Sequence, residues 1–129
     1  MDDAGQKKDT RKRKGAAAEE HAATFLSQLG YDIVDRNWRC RSGEIDIVAR
    51  YQESLIFVEV RSRSVNSRFG TPAESVNMHK MNQVRKTAEV YLLYKQVDFS
   101  SINIRFDVIA VHLNPDMSVS SLEHITEAF

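Results

Sequence analysis

The sequence predicts an α/β domain, a mixed sheet with helices packed on it. Two segments of helical periodicity, 16–29 and 71–95, carry apolar residues three and four apart. Between and after them lie five runs rich in Ile, Val and Phe with strand-like alternation. The resulting order, αβββαββ, makes a sheet covered by helices the natural architecture. At 129 residues there is material for one domain with a single modest core.

Taken in order, residues 1–14 stand apart. Six basic residues, Lys7, Lys8, Arg11, Lys12, Arg13 and Lys14, face three aspartates, so this segment carries +3 and the remainder −3 in a chain of zero net charge. It reads as a basic, disordered arm ahead of a single domain over 15–129. Such an arm follows phosphates through salt-sensitive attraction, or is simply a solvated tail. From Ala16 to Leu29 an apolar stripe of Ala18, Ala22, Phe25, Leu26 and Leu29 predicts a helix stopped at Gly30. Strands follow over 31–38, 44–50 and 55–62, the last two joined by a short polar turn. Thr71-Pro72-Ala73-Glu74 then has the form of a helix start, with an N-cap, a proline at the first helical position and a capping box. That helix should run to about Lys95 and face Val76, Met81, Val84, Ala88, Tyr91 and Leu92 inward. A long strand over 102–113, a turn at Asn114-Pro115-Asp116 and a closing strand over 119–125 complete the chain.

Composition removes several classes. Apolar content of 42% and charged content of 28% are those of a folding chain rather than a disordered one. No apolar run approaches the roughly 18 residues that cross a bilayer, and the polar, basic start lacks a secretory signal's apolar stretch. Cys40 is the one cysteine, which leaves no internal disulfide and no thiolate cluster for zinc. A cytoplasmic protein is the economical expectation.

The hairpin GEIDIVARYQESLIFVEVRSR, residues 43–63, holds three acids among core-forming residues. A turn at Gln52-Glu53 sets Asp46 opposite Glu59 and Glu44 opposite Arg61. Alternation puts Ile45, Ile47 and Ala49 with Ile56, Val58 and Val60 on one apolar face, and Glu44, Asp46 and Val48 with Phe57, Glu59 and Arg61 on the other. Carboxylates directly across a strand pair repel. A cation between them, or a proton held at a raised pKa, removes the conflict. Oxygen-only donors without histidine favour magnesium or manganese over zinc. An ion of this kind keeps waters, holds a phosphate and generates a nucleophilic water. The alternative is structural: Glu44 bridged to Arg61, Asp46 and Glu59 paired with Arg63 or Arg41, and a wet sheet face.

Asn37-Trp38-Arg39, Gly43-Glu44-Ile45-Asp46-Ile47-Val48-Ala49 and Phe57-Val58-Glu59-Val60 resemble the signature of the YraN family of uncharacterised bacterial proteins. The likeness extends to Gly15, Glu19, Leu29-Gly30-Tyr31, Gly70, Pro72, Lys80 and Arg105-Phe106-Asp107-Val108, nearly everything after the basic segment. That family is similar in turn to the PD-(D/E)XK nucleases, near archaeal-type Holliday junction resolvases. The resemblance implies a restriction-endonuclease-like central mixed sheet flanked by helices, with Mg2+ or Mn2+ held by Asp46, Glu59 and a helix glutamate at Glu19. Glu19 also has a plain reading, as an acid suited to a helix's first turn. Where the family pattern has E-V-K, this chain has Glu59-Val60-Arg61. Arginine keeps the charge and steadies a phosphate, but it stays protonated and serves as no base. Either the ion's water suffices, or Lys80 reaches the site, or cleavage is weak or lost.

Arg36, Arg39, Arg41, Arg61, Arg63 and Arg68 cluster in sequence around these strands. On one rim they would bind phosphates; otherwise they are solvated charges. Trp38 is a core residue before it is a base-stacking one, the four histidines show no metal spacing, and Asp107 is placed to anchor a neighbouring arginine. The expected function is metal-dependent hydrolysis of DNA phosphodiesters, with branched DNA in view from the resemblance: Asp46, Glu59 and Arg61 act on the phosphate, while Arg39, Arg41, Arg63, Arg68 and Lys80 bind nucleic acid. Two other functions stand beside it, a noncatalytic nucleic-acid-binding domain and a structural or protein-interaction domain. A homodimer stays open, since many junction-cutting relatives are symmetric dimers.

Overall fold

A computed structural model describes residues 3–64, 78–98 and 100–129, with side chains described from residue 10 onward. Its elements are α1 (Asp3–Gln28), β1 (Asp32–Cys40), β2 (Gly43–Tyr51), β3 (Ser54–Ser64), α2 (Met78–Tyr94), β4 (Asn103–Leu113) and β5 (Val119–Ile125). The predicted order is the observed one, with strand ends moved by one or two residues. The proposed start of the second helix at Thr71–Glu74, and Val76 and Arg68, lie outside the described residues.

The five strands form one sheet in the order β1-β2-β3-β4-β5. Neighbours are antiparallel except β3 and β4, which run parallel from Ser54↔Asn103 to Ser64↔Leu113. A parallel neighbour requires a crossover, and α2 lies in it. The two helices bury different faces. Ala18, Ala22, Ala23 and Leu26 of α1 pack with Ile47, Ala49, Ile56, Val58, Ile109, Val111 and Leu113. Ala88, Tyr91 and Leu92 of α2 pack with Ile45, Val48, Leu55 and Phe57. Met81, predicted to face inward, is half-buried, and Thr87 takes a buried place instead. Tyr91 also ties α2 to β1: its hydroxyl donates to Asp35 Oδ2 at 2.6 Å, and its ring meets Trp38 edge-on. Burial and that acidic partner push the Tyr91 phenol upward.

Two expectations need correction. The first helix begins at Asp3 rather than Ala16, so the basic segment is continuous with it. Lys, Arg and Gln are good helix formers, and Gly15 alone does not stop propagation from an anchored helix. The second concerns the faces of β2. Ile47 and Ala49 lie in the α1 core as predicted, but Ile45 lies with Val48 in the α2 core. The β1–β2 ladder passes from Arg36↔Ile47 to Trp38↔Ile45, skipping Asn37 and Asp46. Asn37 has φ 52, a left-handed conformation that asparagine tolerates better than most residues. The register shift of this ladder lies earlier, between Ile33 and Asp35, and Ile45 nonetheless shares the α2 side with Val48.

At the far side, Asp107 does anchor a neighbouring arginine. Arg105 Nε and Nη2 donate to its two oxygens at 2.9 and 2.8 Å, His124 Nε2 stands 2.7 Å from Oδ2, and the Glu127 amide donates to Oδ1. Arg105 also donates to the Tyr31 hydroxyl at 2.7 Å. The network joins β4 and β5 to the chain entering β1.

Candidate functional site

Beyond the hairpin turn, β2 and β3 pair from Tyr51↔Ser54 to Ile47↔Val58, the predicted register. There the ladder ends, while β3 continues beside β4 for six more residues, to Ser64. The strands thus fork just where Asp46 and Glu59 were expected to face each other. Asp46 fills the gap: its Oδ2 accepts the Val60 backbone N–H at 2.8 Å, replacing a ladder bond with a side-chain bond. The fork needs a short acceptor at this position, because a buried amide without a partner is costly.

Two further acids converge on the same place. Oxygens of Glu19 from α1, Glu44 and Asp46 all lie within 4.8 Å of one another. Glu44 sits two residues before Asp46, and its partner is Arg39 of β1, with Nε 3.2 Å from Oε2. The predicted opposition of Glu44 and Arg61 does not occur, because the ladder has opened before reaching them. Glu19 is held by the Asn37 side chain, so the irregular residue in β1 also orients the helix acid.

Electrostatics follow from this crowding. Burial first, then the charge of Glu59, pushes the Asp46 carboxyl up to about 8; the Val60 amide opposes the rise, and Glu19 and Glu44 add to it. Burial raises Glu19 as well, reinforced by Glu44, while the Asn37 hydrogen bond, Arg36 and Arg39 pull it back. A site of three close acids is relieved by a proton or by a cation.

Glu59 has a different setting. It is 5% exposed and follows Phe57 on the α2 side of β3. Its Oε1 stands 3.5 Å from Arg61 Nη2 and 3.6 Å from Lys80 Nζ of α2. Glu59 therefore reaches Asp46 through its field, and its own charge is shared with two cations. Arg61 Nε is buried without a hydrogen-bond partner among the described residues.

The remaining basic candidates divide between two places. Arg36 pairs with Glu20 at 2.9 Å and Arg39 with Glu44, both from β1, while Arg41 is exposed in the β1–β2 turn. Arg63, half-buried near the end of β3, donates to the Ser62 carbonyl. Trp38 is half-buried in the α2 core. Glu44 is the acid that sequence reasoning assigned to a salt bridge rather than to the site. The signal available for it was its i, i+2 spacing from Asp46.

Gly43 sets the start of β2 against α2. Its φ is +150, and a Cβ there would come 3.1 Å from Thr87 Oγ1 and 3.2 Å from Gln83 Nε2. Gln83 in turn donates to the Ser42 carbonyl. The glycine thus allows the close approach that fixes the strand leading into Glu44 and Asp46.

The acids and their supporting glycine fall within residues 18–111, which match the model of uncharacterised protein family UPF0102. The chain belongs to the UPF0102 family. A UPF0102 protein of Desulforamulus reducens is 46% identical over 119 residues, spanning 92% of this chain and 96% of its own. One of Caldanaerobacter subterraneus subsp. tengcongensis is 42% identical over 125 residues, 95% and 99% of the two chains. One of Geobacter sulfurreducens is 45% identical over 116 residues, 89% and 87%. The expected membership of the YraN family agrees with this UPF0102 assignment. The described residues of this UPF0102 protein include no helix long and apolar enough to cross a membrane.

Proposed function

We propose that this UPF0102 protein is a divalent-metal-dependent nuclease that hydrolyses phosphodiesters in DNA, on a restriction-endonuclease-like scaffold. One observation carries the reading: the Asp46 carboxyl is pushed to about 8 at a strand fork, with oxygens of Glu19 and Glu44 within 4.8 Å of its own. Glu19, Glu44 and Asp46, whose oxygens lie within 4.8 Å of one another, would hold Mg2+ or Mn2+ between them. The all-oxygen donor set suits the same ions. When bound, the ion supplies Lewis-acid stabilisation of a phosphate and an activated water.

The protein's own groups take the remaining tasks. Asp46, Glu19 and Glu44 would hold the ion, and Glu59 adds its field at Asp46 while restraining Arg61 and Lys80. The partly exposed Arg61 guanidinium, whose Nη2 stands 3.5 Å from Glu59 Oε1, binds a phosphate oxygen. It removes no proton. Arg39, Arg41 and Arg63, with Arg68 outside the described residues, provide phosphate contacts that position the substrate without reading its sequence.

A cutting assay on linear, single-stranded and branched DNA tests the reading. Manganese-dependent cleavage that falls at least a hundredfold in Glu59→Gln is the expected result, in line with losing a charged group from a catalytic electrostatic set. Absence of cleavage with every divalent ion, together with salt-sensitive DNA binding, selects the noncatalytic nucleic-acid-binding reading. That second reading is favoured by the two cations already beside Glu59.

A further inference from the structure

The basic half of α1 has no task in the site described above. Among the described side chains, apolar packing of this helix begins at Ala17 and Ala18. Residues Arg11, Lys14, Ala18, Ala22 and Leu26 are spaced three or four apart, so they share one helix face. Ala18, Ala22 and Leu26 on that face are buried against the sheet. The same face therefore turns from apolar to cationic as the helix passes the sheet's end. Lys14 marks the crossing point: its Nζ donates to Ser64 Oγ, at the last residue of β3, at 2.7 Å. Arg11, Lys12 and Arg13 beyond it are exposed and have no ion pair among the described side chains.

We infer that this overhanging half of α1 is a docking rail for the phosphate backbone of duplex DNA, leading it along the end of β3 to the fork. The inference rests on the nucleic-acid reading above and adds a surface to it. Three features choose the occupant. Six basic residues within 1–14 sit on a chain whose remainder is net −3, which concentrates attraction for a polyanion in one place. Residues 3–14 hold Ala4 as their one apolar residue, so the segment lacks the apolar face that inserts into a lipid surface. They hold no aromatic residue on which unstacked bases would lie, which favours a backbone over exposed bases. Twelve helical residues extend about 18 Å, a length over which a duplex presents about ten phosphates. The rail and the catalytic strand meet at Ser64, five residues beyond Glu59.

The test is fluorescence anisotropy of a labelled mixed-sequence duplex of about 20 base pairs, without divalent ions, from 50 to 200 mM salt. Wild type is compared with Arg11→Gln/Lys12→Gln/Lys14→Gln; glutamine preserves helix propensity, and circular dichroism checks the helix. A charge-conserving Arg11→Lys/Lys14→Arg protein serves as control. The rail predicts a slope of log K against log salt shallower by about 2 to 3, at about 0.9 for each phosphate the protein no longer neutralises. It also predicts affinity at low salt weaker by at least about tenfold and near-wild-type behaviour in the control. An unchanged slope in the triple variant overturns the inference, as does wild-type binding to phosphatidylserine vesicles in preference to the duplex. Manganese heats and cutting belong to the fork, so their absence with a shallower slope in the triple variant would count against the nuclease reading and leave the rail standing.

Discussion

At Asp46 a single carboxyl serves two incompatible demands. Its Oδ2 replaces a ladder acceptor for Val60, and its charge lies among three other acids. The folded-state pKa of about 8 is above the ordinary value of 3.8, so the folded protein binds the extra proton between those values. Stability from this group is complete below about 4 and is lost as pH rises through about 8. Asp46→Asn keeps an acceptor for Val60 and removes the charge. In EDTA at pH 8.5 it should unfold at a higher temperature than wild type, with the gap closing near pH 4. Scanning calorimetry at the two pH values measures this, and equal melting at pH 8.5 would contradict the crowding.

Asp107 shows the opposite sign. Its burial tends to raise the carboxyl, but hydrogen bonds from His124, Arg105 and the Glu127 amide, with the Arg105 charge, outweigh it and hold the pKa below the usual 3.8. That stabilisation is present above the unfolded value and is lost as pH falls below it. Asp107→Asn leaves the Arg105 guanidinium without its bidentate partner and should cost about 3–5 kcal/mol in urea unfolding at pH 7. The sequence made this pair legible, because both residues sit on one strand face two positions apart. The third partner, His124, was illegible, since nothing local says that β5 returns beside β4 to bring it there.

Elements decide what the acids can do together. The hairpin register was readable from turn position and alternation, and it holds as far as Ile47↔Val58. Where the ladder stops was not readable. Its end goes with β3 remaining beside β4, a long-range pairing. Local alternation therefore gave Asp46 its position along β2 and Glu59 as a charge acting on it, and left out Glu44 as a near neighbour. The start of β2 offers a test. Gly43→Ala drives a Cβ to within 3.1 Å of Thr87 Oγ1 in a conformation unfavourable to L residues, and should cost about 1–3 kcal/mol. It should also weaken manganese binding, because Glu44 and Asp46 follow on the displaced strand. Unchanged stability and unchanged manganese affinity would deny Gly43 a part in shaping the site.

For the whole molecule, the sheet order β1-β2-β3-β4-β5 with helices on opposite faces was legible as a class, since helical and strand periodicities differ and the crossover helix is plain in the sequence. Charge distribution was legible too, but its placement was not: the basic segment became the continuation of α1 rather than a separate arm. The site combines α1, β1 and β2 with β3, so it draws its acids from parts of the chain whose meeting only the fold determines. Their meeting has one consequence above the others, capture of a divalent cation at the fork. Isothermal calorimetry of Mn2+ binding at pH 8, for wild type and Asp46→Asn, measures it directly. A cation site at the fork predicts a saturable heat in wild type that strengthens as pH rises through about 8 and is lost in Asp46→Asn. Equal heats in the two proteins, or none in either, would contradict it.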